Sequence, residues 1–139
     1  MMTAFRIQIT TGASTPIYRQ IVDQVRLAAA TGDVPAGQPM PSVRGLAEQL
    51  RINFNTVAKA YAELVRDGVL ESLQGKGFFV AEKRQVYSRA ERLRRLRYAL
   101  DTFIHEAVFL DFTDDEIRKA VDDSLAELDR HPDPTGEPT

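Results

Sequence analysis

The residues of this chain best suited to chemistry lie at positions 51–61, which read RINFNTVAKAY. Asn53 precedes a run of helix-forming residues, and Asn55, Thr56 and Lys59 follow it closely. Amide and hydroxyl groups hydrogen-bond base edges and phosphate oxygens, and a lysine ammonium group pairs with phosphates. Because the first turn of a helix also attracts anions, Asn55 and Thr56 are placed where they can reach phosphates and base edges. The alternative is that Asn55 and Thr56 only cap the helix.

Phe54 is the large apolar residue between these polar side chains. With Asn53 as the N-cap, Phe54 takes the first position of the helix. Its ring could lie against a thymine methyl group or a sugar, or it could fold back on the preceding turn. We favour the contact with DNA.

No arrangement of residues predicts catalysis or a resident cofactor. The chain has no cysteine, and its two histidines, His105 and His131, are far apart in the sequence. Neither has the clustered Cys, His or carboxylate neighbours of a metal site, so we expect His105 to be an interface residue. No nucleophile–base pair and no cofactor motif is evident. The sequence therefore predicts a protein without enzymatic activity, metal or cofactor.

Charge is distributed unevenly along the 139 residues, although the net charge is only −2. Residues 1–97 carry 15 Lys and Arg against 8 Asp and Glu, whereas residues 98–139 carry 3 against 12. This asymmetry favours a part that binds a polyanion, joined to an acidic part with another task. The alternative is that these charged residues only form solvated faces of helices. No apolar run approaches the ~20 residues of a membrane helix, and a signal-peptide pattern is absent, which favours a cytoplasmic location.

The elements that position these residues follow from hydrophobic periodicity and turn residues. We predict a short strand at 4–9, a helix from Pro16 to Gly32, and a second helix after the cap Ser42. A link of about three residues separates it from the third helix, which Gly68 ends. Two helices with so short a link predict a helix-turn-helix, whose second helix enters the DNA major groove.

Two short apolar segments, at 69–73 and 78–82, flank a tip that contains Gly75, Lys76 and Gly77. This pattern predicts a β-hairpin, which makes the unit a winged helix in a mainly α fold. The glycines allow the main chain to approach a ligand closely, and Lys76 can meet a phosphate or lie in the minor groove. A plain hairpin turn is the alternative.

Residues 16–80 resemble the DNA-binding domain of the GntR family of bacterial transcription regulators. The motifs that carry the resemblance are Pro-Ser-x-Arg-x-Leu-Ala, Asn-Thr-Val, Asp-Gly-Val-Leu and Gly-Lys-Gly. From the resemblance and from their chemistry, the residues expected to contact DNA are Ser42, Arg44, Asn53, Phe54, Asn55, Thr56, Lys59, Gly75, Lys76 and Gly77.

Arg44 is expected at a base edge or a phosphate, but it could instead form a surface salt bridge with Glu48, four residues later. Two residues depart from the family pattern. Phe54 stands where many members carry Arg and YtrA-like members often carry Pro, and Gly45 replaces a longer side chain. Tyr18 and Tyr61 are expected in the core.

The C-terminal part is similar to the YtrA subfamily, which has two helices there. Capping boxes begin at Ser88 and Thr113. Between them apolar residues recur every three or four positions, which predicts a heptad-type seam. We expect a second copy of the chain to cover this seam; packing against the winged domain is the alternative. The residues expected at the dimer interface are Leu93, Leu96, Leu100, Phe103, Ile104, Ala107 and Leu110.

We therefore divide the chain into a winged-helix DNA-binding domain at 1–82, a helical dimerisation region at 83–130 and a disordered tail at 131–139. The predicted function is that of a homodimeric repressor that binds a palindromic operator in double-stranded DNA. The resemblance implies neighbouring transporter genes, and it leaves a small-molecule effector open. The alternative function is a non-enzymatic winged-helix module that contacts protein or RNA.

Overall fold

The computed structural model describes residues 6–82 and 85–128, which form two compact units. The first unit contains α1 (Ile17–Thr31), α2 (Val43–Leu50), α3 (Phe54–Arg66), β1 (Leu70–Leu73) and β2 (Gly77–Val80). The second contains α4 (Arg89–Phe109) and α5 (Asp114–Glu127). The order of elements confirms the predicted mainly α fold with a two-stranded wing. The predicted disorder of 131–139 concerns residues outside the described part of the chain.

The core of the first unit lies where α1 and α2 pack on α3. Ile21 and Val25 of α1 and Val57 and Leu64 of α3 are buried. Burying one such side chain contributes about 1.5–3 kcal/mol. Because these residues cover one side of α3, the other side of that helix is left for solvent or a ligand.

Tyr61 fixes α3 further, and it is buried as predicted. Its hydroxyl donates a hydrogen bond to the carbonyl oxygen of Pro41 at 2.8 Å, and its ring meets that of Phe78 edge to face, with centroids 4.9 Å apart. Burial raises the pKa of Tyr61. These contacts join α3 to the start of α2 and to the wing.

The predicted strand at 4–9 is wrong for residues 6–9, which form no strand. Instead their backbone is held by glutamine side chains of α1. Gln24 Oε1 accepts from the N–H of Gln8 at 2.9 Å, and Gln20 Oε1 accepts from the N–H of Thr10 at 2.7 Å. Ile7 is nevertheless buried, whereas its neighbours Arg6 and Gln8 are exposed. The alternation of polar and apolar residues at 6–9 therefore indicated which side chain is buried. Side-chain amides of α1, rather than a partner strand, bind the backbone.

The wing is an antiparallel hairpin in which Leu70 pairs with Val80 and Leu73 with Gly77. The proline-rich segment before α2 contains no helix or strand, but it runs beside β2. Met40 N–H donates to the carbonyl oxygen of Phe78 at 2.9 Å. Leu70 and Val80 are buried, so the base of the wing is anchored in the core while its tip projects outward.

In the second unit, the N-cap of α4 is Ser88, whose hydroxyl accepts a hydrogen bond from Glu91 N–H. The predicted capping box is only half formed there, because Glu91 binds Arg94 and Arg95 instead. Hydrogen bonds from Arg94, and then from Arg95, lower the pKa of Glu91 to about 2. The capping box at Thr113 is complete, as predicted.

Among the described residues of the second unit, Ala107 of α4 and Ile117 of α5 are the ones that are buried. Asp111, which has a positive φ of 66°, lies in the connection between the two helices. No described helix is long and apolar enough to cross a membrane.

Candidate nucleic-acid interface

The link between α2 and α3 consists of the three residues Arg51, Ile52 and Asn53, as predicted. Arg51 is the C-cap of α2 and has a left-handed conformation, with φ 57° and ψ 47°. A residue with a side chain pays roughly 1–2 kcal/mol for this conformation. The turn is closed by a hydrogen bond from Ile52 N–H to the carbonyl oxygen of Ala47 at 3.0 Å. The reversal therefore places the beginning of α3 directly after α2.

The caps of both helices are the predicted ones. Ser42 Oγ accepts from Gly45 N–H at 2.9 Å, and Asn53 Oδ1 accepts from Asn55 N–H at 2.7 Å. A Cβ at position 45 would lie 2.9 Å from Ser42 Oγ. Glycine at this position therefore leaves room for the serine cap, which gives a local reason for one of the two departures from the family pattern.

Asn53, rather than Asn55 or Thr56, is the side-chain cap of α3. Within the described residues the side chains of Asn55 and Thr56 make no hydrogen bond to the protein. The alternative that their side chains cap the helix is not supported. Asn55 is exposed and Thr56 is half-buried, so the start of α3 presents an amide and a hydroxyl group to a ligand.

Arg44 is exposed on the first turn of α2. No salt bridge joins it to Glu48, although both residues belong to the described part of the chain. The alternative of a surface salt bridge is therefore absent from this structure. The guanidinium group is left available to an external anion.

An open depression of about 680 Å³ lies beside this link, and it brings Arg44 and Phe54 together. Phe54 is 50% exposed, as the first residue of α3. Sequence reasoning missed Arg51, which also lines the depression. The only feature of the sequence that indicated a role for Arg51 was its basic side chain within the link between the two helices. The remaining lining residues are Ala47, Glu48 and Ile52.

Lys59 is exposed in the second turn of α3. Its Nζ lies 3.8 Å from the centroid of the Tyr18 ring of α1. Tyr18 is half-buried and packs against the core, in agreement with its predicted core position. A cation over an aromatic ring keeps its charge, so Lys59 remains a group that can meet a phosphate.

The wing tip is exposed at Gly75, Lys76 and Gly77. The two glycines have φ values of 78° and 96°, a region that other residues rarely adopt. Nothing lies within 4 Å of a Cβ built at either position. The glycines therefore serve the backbone conformation of the turn, and the free space around them would admit a ligand.

The predicted dimer residues of α4 are mostly uncovered. Exposure ranges from 40% at Phe103 to 63% at Leu96, while Ala107 is buried. Val121 and Leu125 of α5 are also 38% and 53% exposed. The remaining residues of the predicted seam are Leu93, Leu100 and Leu110, which are exposed, and Ile104, which is half-buried.

No group of three or more potential metal ligands occurs among the described residues. His105 is exposed on α4. The role of His105 as an interface residue stays a prediction.

Comparisons with known proteins agree with this architecture. The model of the bacterial regulatory proteins of the gntR family matches residues 17–80. The chain is 38% identical over 101 residues to the HTH-type transcriptional repressor YtrA of Bacillus subtilis, which covers 73% of this chain and 78% of that one. It is 32% identical over 109 residues to the HTH-type transcriptional regulator YhcF of the same organism, with coverages of 78% and 89%.

Among solved structures, the fold is similar to that of a transcriptional antiterminator from Listeria monocytogenes EGD-e. The TM-score is 0.81 at 31% identity, and the match covers 93% of this chain and 96% of the other. The family match covers both the helix-turn-helix and its wing. The chain belongs to the gntR family of bacterial regulatory proteins, is similar to YtrA within it, and is a helix-turn-helix transcription regulator rather than an enzyme.

Proposed function

We propose that this protein is a cytoplasmic, homodimeric repressor that binds a palindromic operator through α2, the start of α3 and the wing tip. The observation that carries the proposal is the start of α3. There Asn55 and Lys59 are exposed, and Thr56 is half-buried. The side chains of Asn55 and Thr56 have no hydrogen-bond partner within the described residues. Polar side chains left unpaired at a helix N-terminus suit phosphates and base edges.

In this arrangement α3 enters the major groove with its N-terminus first. Asn55 reads an adenine edge or holds a phosphate, and Arg44 contacts a guanine edge or a phosphate. Lys76, at the exposed tip of the hairpin, lies against the adjacent backbone or in the minor groove. Ser42 and Asn53 hold both helix starts in place, and their remaining hydrogen-bonding atoms add to the contact.

Dimerisation is supported by the apolar side chains that α4 leaves exposed. Five of the seven predicted seam residues have 40% or more of their surface exposed. Apolar patches of this kind mark surfaces that a partner covers. A dimer with two-fold symmetry reads two half-sites, spaced about 34 Å or a multiple of it along the DNA. A palindromic operator has the same two-fold symmetry as the dimer. A dimer bound there blocks transcription.

The test is binding of the purified protein to DNA from upstream of its own gene, measured by mobility shift and by footprinting. The affinity should fall steeply with salt, because each neutralised phosphate contributes about −0.9 to the slope of log K against log salt. An RNA duplex of the same sequence is the comparison, since a structural neighbour is described as an antiterminator. Stronger binding to RNA, or no salt-sensitive shift of the DNA, would contradict the proposal.

A further inference from the structure

Lys59 is held from one side by an aromatic ring of another helix. Its Nζ lies 3.8 Å from the centroid of Tyr18, which belongs to the first turn of α1. Tyr18 is half-buried and packed against the core, so the ring has a fixed position. A lysine side chain in solution samples many rotamers. The ring restricts this freedom and leaves the outward side of the ammonium group uncovered.

Glu63 is the residue that would otherwise compete for Lys59. It is half-buried and lies four positions later on α3, the spacing at which opposite charges on a helix pair. No Lys59–Glu63 salt bridge forms. Instead Glu63 Oε2 is 2.7 Å from Arg19 Nη1, and Glu63 Oε1 is 3.3 Å from Arg19 Nη2. Arg19 therefore binds both carboxylate oxygens, and Arg66 Nη2 lies a further 3.9 Å from Glu63 Oε1.

The two neighbouring residues of α1 thus have complementary effects on the same lysine. Tyr18 orients the ammonium group without adding a negative charge, and Arg19 withdraws the nearest negative charge on the helix. A salt bridge to Glu63 would have neutralised Lys59 and reduced its attraction for a phosphate. A cation over a ring keeps its full charge.

We infer that Tyr18 and Arg19 are positioning residues that hold Lys59 oriented and unneutralised for a DNA phosphate. This inference rests on the proposed function, because Lys59 must contact DNA. It adds α1, an element outside the helix-turn-helix, to the determinants of affinity.

The first experiment compares Tyr18→Phe with Tyr18→Leu by titration of the full chain with operator DNA. Tyr18→Phe keeps the ring and should bind within about twofold of the unmodified protein, whereas Tyr18→Leu should bind roughly two- to fivefold more weakly. In Lys59→Met, which should lower the salt slope by about 0.9, the further change Tyr18→Leu should have no effect. Equal weakening by Tyr18→Phe and Tyr18→Leu would overturn the role of the ring.

The second experiment tests Arg19 through rescue. Because Arg66 also pairs with Glu63, Arg19→Gln is made in an Arg66→Gln background. There Glu63 is free to pair with Lys59, which should weaken binding and lower the salt slope by up to about one relative to Arg66→Gln alone. Adding Glu63→Gln removes the competitor and should restore both quantities. Failure of this rescue would mean that Arg19 contacts DNA itself and would overturn the inference. Arg26→Gln, an exposed arginine of the same helix, is the control and should bind normally.

The outcomes also separate this inference from the function on which it rests. If the unmodified protein shows no salt-sensitive DNA binding, the proposed function fails. If that protein binds DNA but Lys59→Met leaves affinity and slope unchanged, only the inference fails. Circular dichroism identifies any variant that does not fold, and the Arg19 and Glu63 variants then decide the question without the Tyr18 variants.

Discussion

Replacement of Arg44 by alanine should weaken operator binding and leave the fold intact. Arg44 is exposed on the first turn of α2 and forms no salt bridge with Glu48. Alanine is the strongest helix former, so the helix itself loses nothing. The neighbouring Leu46 and Ala47 remain buried, and the cap at Ser42 does not involve the arginine side chain.

The magnitudes follow from this exposure. A surface substitution of a side chain without partners changes the free energy of unfolding by no more than about 0.5 kcal/mol. For a domain of this size that is a shift in Tm of less than about 4 °C. Loss of a bidentate contact to a guanine costs about 1–3 kcal/mol, which is roughly a 5- to 150-fold weaker affinity for the operator.

Fluorescence anisotropy with a labelled operator measures the affinity, and thermal denaturation measures the stability. A base contact by Arg44 predicts relaxed specificity at one position, whereas a phosphate contact predicts a salt slope smaller by about 0.9. Arg26→Ala on α1 is the matched control and should change neither quantity. Unchanged affinity, or a large loss of stability in parallel with the loss of affinity, would refute the interpretation of Arg44.

Three further predictions concern other parts of the molecule. If the ring of Phe54 contacts thymine methyl groups, replacing the thymines of a footprinted half-site by deoxyuridine should weaken binding about fourfold per contacted methyl. Phe54→Ala should abolish this sensitivity. Equal affinity of the unmodified protein for both DNAs would mean that the ring folds back on the turn. Leu100→Asp should raise the dimer dissociation constant more than about 100-fold, because it would bury an unpaired charge in the dimer interface. The control Thr102→Asp should leave the mass of the dimer, measured by light scattering, unchanged. A Leu100→Asp dimer of normal stability would exclude this seam. Tyr61→Phe should lower stability by about 1 kcal/mol through loss of the hydrogen bond to Pro41, and an unchanged denaturation midpoint would contradict that value.

Features that depend on neighbours in the chain could be predicted from the sequence. Ser42, Asn53 and Thr113 were identified as caps, and each accepts a hydrogen bond from a backbone N–H two or three residues later. Gly32 was predicted to end α1, and its φ of 81° lies in the left-handed region. Each signal involves only a few consecutive residues, whose geometry is the same in any fold.

Features that require a choice between partners could not be predicted. Glu91 suits a capping box, yet arginines on the following turn take its carboxylate. Residues 6–9 alternate as a strand does, yet the backbone N–H of Gln8 binds the side chain of Gln24 on α1 in place of a partner strand. Arg44 has a carboxylate at the correct spacing and does not pair with it. In each case the sequence shows which groups can interact, and the competing partners decide which interaction forms.

The start of α3 shows the same division. The sequence by itself determined the N-cap at Asn53, the first helical position of Phe54 and the helix-turn-helix that contains them, because local propensity and apolar periodicity are sufficient for these. Only the tertiary structure decided that Lys59 lies over Tyr18 and that Glu63 binds Arg19. Those partners lie on α1, more than thirty residues earlier in the chain. The packing of α1 against α3 brings them together, and no pattern within either helix indicates which charge will meet which.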